Sequence, residues 1–322
     1  MNIKTTMSKN YLEIIRAGIN TTFQDQGRNS LYHIGIPFSG AMDKRNFLIA
    51  NKLVDNNLKD ACIEFAYQGP LLEFFGINLV CAITGDVTFK IVRKDQSEEE
   101  GKCYESFNIK KGDKIDIIST NKSVYGYLSI KGGINDKKNF NSYSINTKAE
   151  VGPNEGKKFN INQKIFLLNN SNKFEKKKIN YINSRIEFIR VLKGTNFNYF
   201  SEQSQNNFVK NEYKVSKLTD RMGMRLEGPK IKNIVNTNIK SEGLVKGVIQ
   251  VPADGYPIVM LSDHGTIGGY PKIGVVISAD YDKLTQLTPG SKIKFKYITL
   301  KEAENLFKLY NIETENILNQ VK

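Results

Sequence analysis

A mainly β fold with a few short helices is what this sequence predicts, and three observations carry the prediction. Most apolar residues fall in short runs rich in Val, Ile and Phe, bounded by Gly, Asn or Asp, which is how half-buried strands read. Apolar residues at helical spacing occur in only a few places. The 322-residue chain also echoes itself: LEIIRA at Leu12–Ala17 returns as IEFIRV at Ile186–Val191, and KKGDKIDI at Lys110–Ile117 returns more weakly as TPGSKIKF at Thr288–Phe295. Both pairs are offset by between 170 and 180 positions. The pattern predicts two related β-rich halves, each a closed or nearly closed sheet.

In chain order, strands are expected at Leu79–Ile83, Val87–Val92, Tyr125–Ile130, Lys164–Leu168, Gly247–Val251 and Pro257–Ser262. A first helix follows SGA, where Asp43 is a suitable cap and Phe47, Ala50 and Val54 share a face. A short second one follows Asp280 with Leu284 and Leu287 inward. A third begins at Thr299, whose spacing to Glu302 makes a capping box, and continues through Leu306, Phe307 and Tyr310. The Lys-rich stretch Ser171–Lys178 reads as an exposed linker, so the halves are expected to divide near Ser184 into residues 1–184 and 185–322.

Composition excludes several classes of function. The net charge is +14, yet only 8 of 47 basic residues are Arg and no nucleic-acid-binding signature accompanies them. Lysine-covered solvated faces are the simpler reading, so no nucleic-acid partner is expected. Cys62, Cys81 and Cys103 have no paired spacing and lie in or beside apolar segments, so they read as buried free thiols. Neither a leader-like apolar region nor a membrane-length apolar run is visible, which gives the expectation of a cytoplasmic protein without membrane contact. With two histidines in the chain, His33 and His264, no metal cluster is expected. GPNEGKK at Gly152–Lys158 is too short for a phosphate-binding loop and lacks its Ser or Thr.

The functional signal concentrates in Ser216–Lys272, which is dense in Gly, Pro, Arg and Asp. Its strands present shaped loops, among them Gly268–Pro271, and place Asp220, Arg221, Arg225, Glu227, Gln250, Asp254, Asp263, His264, Thr266 and Lys272 there. Arg is scarce in this chain, so its use at Arg221 and Arg225 points to planar, bidentate recognition of an anion. The alternative is that both arginines pair with Asp220 and Glu227 to tie strands together.

The ordered motifs DRMG-x-RLEGP from Asp220, SEG-x6-QVP-x2-G-x-PI from Ser241, T-x-GGYPKI from Thr266, QGR at Gln26 and SGAMD at Ser39 resemble the biotin-dependent-carboxyltransferase-like family. That family includes the C-type subunit of 5-oxoprolinase, the antagonist of the sporulation kinase inhibitor, and part of the carboxyltransferase region of urea carboxylase. The resemblance runs from about Leu12 to Phe295 and implies two cyclophilin-like β-barrel domains. It implies a hydrolase subunit that opens 5-oxoproline to L-glutamate with a homologous B-type subunit and a third subunit. ATP is used by that assembly, and the chain alone is inactive. The alternatives are a regulatory protein that binds a homologous kinase inhibitor, or a carboxyltransferase-type subunit acting on urea or another small amide. No Met-Lys-Met element is present, so covalent biotin is not expected. On this reading Asp220, Arg221 and Asp254 are the catalytic candidates, and a small amide or carboxylate substrate is held by Arg225, Gln250, Thr266, Gly268, Gly269, Tyr270 and Lys272. From the N-terminal motifs, Arg28, Ser39 and Gly40 join the substrate-binding set. Ser39 and Gly40 can also serve as ordinary turn residues, and His33 can be a structural histidine or a base.

Overall fold

The computed structural model describes residues 10–168, 174–181 and 187–322. The chain is mainly β and separates into two compact units. One comprises Met1–Gln26, Asn46–Tyr181 and Ile317–Lys322, and the other Gly27–Arg45 and Ile182–Asn316. The expected division near Ser184 lies outside the described residues.

The first unit carries β1 (Tyr11–Arg16), β2 (Thr22–Gln24), β3 (Cys62–Ala66), β4 (Leu71–Phe75), β5 (Asn78–Thr84), β6 (Val87–Val92), β7 (Glu98–Glu100), β8 (Ser106–Lys110), β9 (Lys114–Thr120), β10 (Tyr125–Ile130) and β11 (Lys164–Phe166). Helix α1 (Lys44–Leu53) enters it at Asn46. One sheet has the order β11-β1-β4-β9-β6-β7 and the other β2-β3-β10-β5-β8. The six-stranded sheet alternates: Leu12, Ile14, Leu72, Phe74, Phe89, Ile91, Ile115 and Ile117 point into one apolar core while their neighbours face out. The five-stranded sheet is instead buried on both faces at β3 and β10. Helix α1 covers its second face, with Phe47 edge-on to Tyr127 at 6.4 Å and Asn51 accepting from the Ser129 hydroxyl at 2.7 Å. That is why these strands read as continuous apolar runs. The Lys-rich stretch is mostly exposed where it is described, with Lys177 half-buried, and it does not hang free. The carbonyl of Lys177 accepts from the Ser106 N–H at 2.7 Å, and Lys176 pairs with Glu105 at 2.7 Å.

The second unit continues with β12 (Ile189–Lys193), α2 (Glu202–Lys210), β13 (Tyr213–Val215), β14 (Gly223–Glu227), β15 (Glu242–Gly243), β16 (Val248–Gln250), β17 (Ile258–Met260), β18 (Ile267–Gly268), β19 (Lys272–Val276), α3 (Ser278–Thr285), β20 (Lys292–Ile293), β21 (Phe295–Tyr297) and α4 (Leu300–Asn319). Its eight-stranded sheet runs β20-β13-β14-β17-β16-β19-β12-β21. The two edge strands are separated in sequence by Lys294 alone, so the sheet must curl until its edges nearly meet, a nearly closed barrel. Phe208 from α2 fills it, stacked on Phe295 with ring centroids 4.6 Å apart and tilted against Tyr213. A separate ribbon pairs β15 with β18.

The echoed segments form comparable local structure with different partners. Gly112 and Gly290 occupy matching positions in the second echo, and both take left-handed φ, at 87° and 90°, in the turns before β9 and β20. Strand β1 pairs antiparallel with β4 and β11, whereas β12 pairs antiparallel with β19 and parallel with β21. Helix α3 begins at Ser278, three residues before the expected start after Asp280, and Asp280 lies inside its first turn, where it accepts from the Arg190 backbone and guanidinium. The first N–H groups of α1, on Lys44 and Arg45, donate to Asp282 of α3 at 3.0 and 3.1 Å, while Asp43 accepts from Gln286 at 2.8 Å.

Candidate functional site

The second unit brings the N-terminal motif segment and the Arg/Asp-rich loops into one buried polar cluster. It begins with a turn. Asp220 accepts the N–H groups of Met222 and Gly223 at 2.8 and 3.2 Å, a local side-chain turn that reverses the chain before β14. Arg221, at the head of that turn, is directed inward. Its Nε donates to Asp263 Oδ2 at 2.8 Å, and its Nη2 donates to Asp263 Oδ1 at 3.1 Å and to the Gly40 carbonyl at 2.8 Å. The Asp263 N–H donates to the Arg221 carbonyl at 2.9 Å, and the Ser39 N–H to the Ser262 carbonyl at 2.9 Å. Three chain segments are thereby fixed to one another around a buried bidentate ion pair, the geometry that Arg supplies and Lys does not.

Ser39 and Gly40 both take left-handed φ, at 58° and 84°, and Ser39 is fully buried. A non-glycine residue in that region is uncommon and is held there by its surroundings. Gly27 is equally constrained: at φ 85° a Cβ would lie 2.7 Å from the Phe38 carbonyl oxygen, which also accepts the Arg28 N–H at 2.7 Å. Lys246 places its ammonium over the Phe38 ring at 4.3 Å and the Tyr281 ring at 5.6 Å, and the hydroxyls of Ser262 and Tyr281 stand 3.3 Å apart. His264 follows directly on the ion pair and is fully buried. Burial, reinforced by the nearby charge of Lys246, holds its pKa below the usual 6.5. Its Nε2 faces the Tyr32 hydroxyl at 3.3 Å.

A second cluster gathers on β19, β16 and the β15–β18 ribbon. Lys272 is buried, with its ammonium 2.8 Å from Glu242 Oε2, and its N–H donates to Asn196 Oδ1 at 3.1 Å. The Lys272 ammonium holds the Glu242 carboxyl below the usual carboxylate range. Gln250 donates to the Tyr270 carbonyl at 3.3 Å, and a Cβ at Gly268 would meet the Gln250 amide at 2.6 Å, so that glycine lets the ribbon lie close. Gly269 accepts the Ile239 N–H and Thr266 accepts the Leu244 N–H through their carbonyls, at 2.9 and 3.0 Å.

The proposed residues therefore separate. Arg28, Ser39, Gly40 and Arg221 belong to the first cluster, and Gln250, Thr266, Gly268, Gly269, Tyr270 and Lys272 to the second. Asp254 stands in neither contact network: it accepts the Tyr256 N–H at 3.0 Å in an exposed turn. Arg225 points outward from β14, and its guanidinium has no ion-pair partner among the described residues. The alternative of a structural pairing holds for Arg221, but with Asp263 in place of Asp220 or Glu227. His33 is exposed on the short turn Tyr32–Ile34. Tyr32, Asn196, Glu242 and Lys246 were not singled out by the sequence. Asp263 and His264 stood in the right loop, and the contiguous Ser-Asp-His after β17 was the available signal for them. Among the described residues no group of His, Cys, Asp and Glu could hold a metal ion, and no helix is long and apolar enough to cross a membrane.

Residues 34–297 match the family model described as carboxyltransferase domain, subdomain A and B, so the chain belongs to that carboxyltransferase-domain family. Within it, the chain is 30% identical over 296 residues to a protein of Escherichia coli named as the C-type subunit of 5-oxoprolinase, a match covering 91% of this chain and 93% of that one. A protein of the same name from Haemophilus influenzae is 30% identical over 306 residues, covering 95% and 97% of the two chains. The solved urea amidolyase of K. lactis contains the same fold, with a TM-score of 0.86 and 26% identity, over 98% of this chain and 20% of that one.

Proposed function

We propose that this chain is the C-type subunit of an ATP-dependent 5-oxoprolinase. It acts with a homologous B-type subunit and a third subunit to open 5-oxoproline to L-glutamate. The observation that carries this reading is the end-to-end correspondence with the E. coli oxoprolinase protein, which leaves no large part of either chain unmatched. Ring opening asks three things of a site: a grip on the substrate carboxylate, polarisation of the lactam carbonyl for attack by water, and a proton for the departing ring nitrogen. ATP hydrolysis by the assembled complex supplies the driving force.

The contacts support different roles for these residues. Arg221 is a positioning residue, because its guanidinium is engaged by Asp263 and Gly40 and sets the Ser39–Gly40 turn. Arg225, exposed and without an ion-pair partner among the described residues, can take a carboxylate by two parallel hydrogen bonds. Asp220 shapes the turn that carries Arg221, and Asp254 shapes a separate exposed turn. Lys272 supplies a buried positive charge whose counter-ion, Glu242, sits on the more exposed ribbon. The chain is inactive alone in this reading, since its sequence carries no nucleotide-binding motif, and its place is the cytoplasm, where ATP is supplied.

A second reading has a specific observation behind it. The agreement with urea amidolyase over 98% of this chain is what a carboxyltransferase-type subunit for urea would also show. One experiment separates them. The chain, combined with its partner subunits, is given either 5-oxoproline with ATP or urea with a biotinylated carrier protein. Glutamate formed from 5-oxoproline supports the first reading, and carboxylation of urea without glutamate formation replaces it with the second.

A further inference from the structure

We infer that Tyr32, oriented by His264, accepts a hydrogen bond from the N–H of a small amide or lactam ligand; this rests on, and deepens, the reading of the chain as an oxoprolinase subunit. The tautomer of His264 is fixed by its backbone neighbour. Its Nδ1 lies 2.6 Å from the carbonyl oxygen of Gly265. A carbonyl oxygen can only accept, so Nδ1 carries the hydrogen and Nε2 of the neutral ring is a lone pair. That lone pair faces the Tyr32 hydroxyl at 3.3 Å, with the rings edge to face at 72° and 5.9 Å between centroids. Tyr32 is therefore the donor of this bond.

A phenol has one hydrogen and two lone pairs. With the hydrogen committed to His264, the Tyr32 oxygen presents only acceptor capacity to anything that approaches it. Tyr32 is half-buried on the short turn Tyr32–Ile34, between the Gly27–Arg28 and Ser39–Gly40 turns in sequence, so the residue is not sealed in the core. Turning the hydroxyl outward would leave the buried Nε2 unpaired, which is costly in a dry site. The group it meets must donate. The N–H of a lactam, a urea or a primary amide meets that requirement, and an N-alkylated lactam does not.

The same geometry has a consequence in acid. A proton added to His264 goes to Nε2 and faces Tyr32, so the phenol must then accept from the ring and its own hydrogen turns outward. A ligand N–H would meet a donor. Burial and the charge of Lys246 disfavour the proton, and together they outweigh the Gly265 carbonyl and Asp263, which favour it. Protonation thus falls below 6.5, and ligand affinity should drop as pH falls through that region.

The test measures binding of 5-oxoproline, N-methyl-5-oxoproline and urea to the complex assembled with its partner subunits, using wild type and Tyr32→Phe, at neutral pH and about one unit below the ordinary imidazole value. The substitution keeps the ring and removes the oxygen. Expected is a loss of about tenfold in affinity for 5-oxoproline, no change for the N-methyl compound, and disappearance of the acid-side loss in the variant. An equal effect on both lactams, or none on either, overturns the inference. If the complex binds urea in place of 5-oxoproline and Tyr32→Phe weakens urea, the inference stands and the oxoprolinase reading falls. Binding of none of the three sinks both.

Discussion

Two arginines four positions apart on the same turn and strand have opposite surroundings. Arg221 is buried in a bidentate pair with Asp263, whereas Arg225 faces outward. Scarcity of Arg marked both positions in the sequence, and the need for planar geometry at Arg221 was legible there. Its partner was not, because Asp263 lies 42 positions away and only the fold brings it close. Arg221→Lys should keep the charge but lose the fork, lowering stability by about 1.5–3 kcal/mol in a denaturant or thermal unfolding series. Arg225→Lys should leave the unfolding transition in place and weaken turnover of the assembled complex roughly tenfold. Equal melting of the two variants would mean that the surroundings of the arginines do not differ in this way. The cysteines give a check on burial. Burial pushes the thiols of Cys62 and Cys81 well up and that of Cys103 to about 11. All three should resist alkylation near neutral pH until the chain unfolds. Because these folded-state values lie above the ordinary 9.0, the thiols' contribution to stability is full below that pH and declines as pH rises past it.

Local rules at the scale of elements succeeded where one residue pair decides the outcome. The α4 capping box is formed as Thr299 and Glu302 require: Glu302 accepts the Thr299 N–H at 2.7 Å, and the Thr299 hydroxyl accepts the Glu302 N–H at 3.2 Å. The Thr299 N–H and hydroxyl, both donating to Glu302 Oε2, hold this carboxyl below its usual 4.5. A lowered carboxyl contributes stability above its unfolded value and loses it as pH falls through the folded one. Amide exchange in the first turn of α4 should therefore accelerate as pH falls below 4.5, after correction for the intrinsic rate; Thr299→Ala, which keeps the backbone N–H, should weaken that pH dependence and Glu302→Gln should remove it. Helix α2 escaped the sequence because its nine residues, EQSQNNFVK, bury chiefly Phe208 and Ser204 and show no apolar face until the barrel is there to receive them. The start of α3 also differs from expectation: Asp280 has the residue type of a cap, but it lies inside the first turn and Arg190 on β12 claims its carboxylate.

For the whole molecule, a mainly β chain with few helices was visible from the rhythm of short apolar runs, and the eight-stranded barrel justifies it. The grouping of Gly27–Arg45 with the second unit was not visible, since no local pattern says where an early loop will dock. The candidate residues were found by motif, while their separation into an Arg221–Asp263 cluster and a Lys272–Glu242 cluster needed the fold. The central claim is that this chain is a necessary but insufficient part of a 5-oxoproline-opening assembly. The most direct measurement is glutamate release from 5-oxoproline and ATP by the full set of three purified subunits, beside sets from which each is omitted in turn. The account predicts glutamate from the full set and none from this chain alone or from the set that lacks it. Turnover by the other two subunits at the full rate, or by this chain unaided, would contradict it.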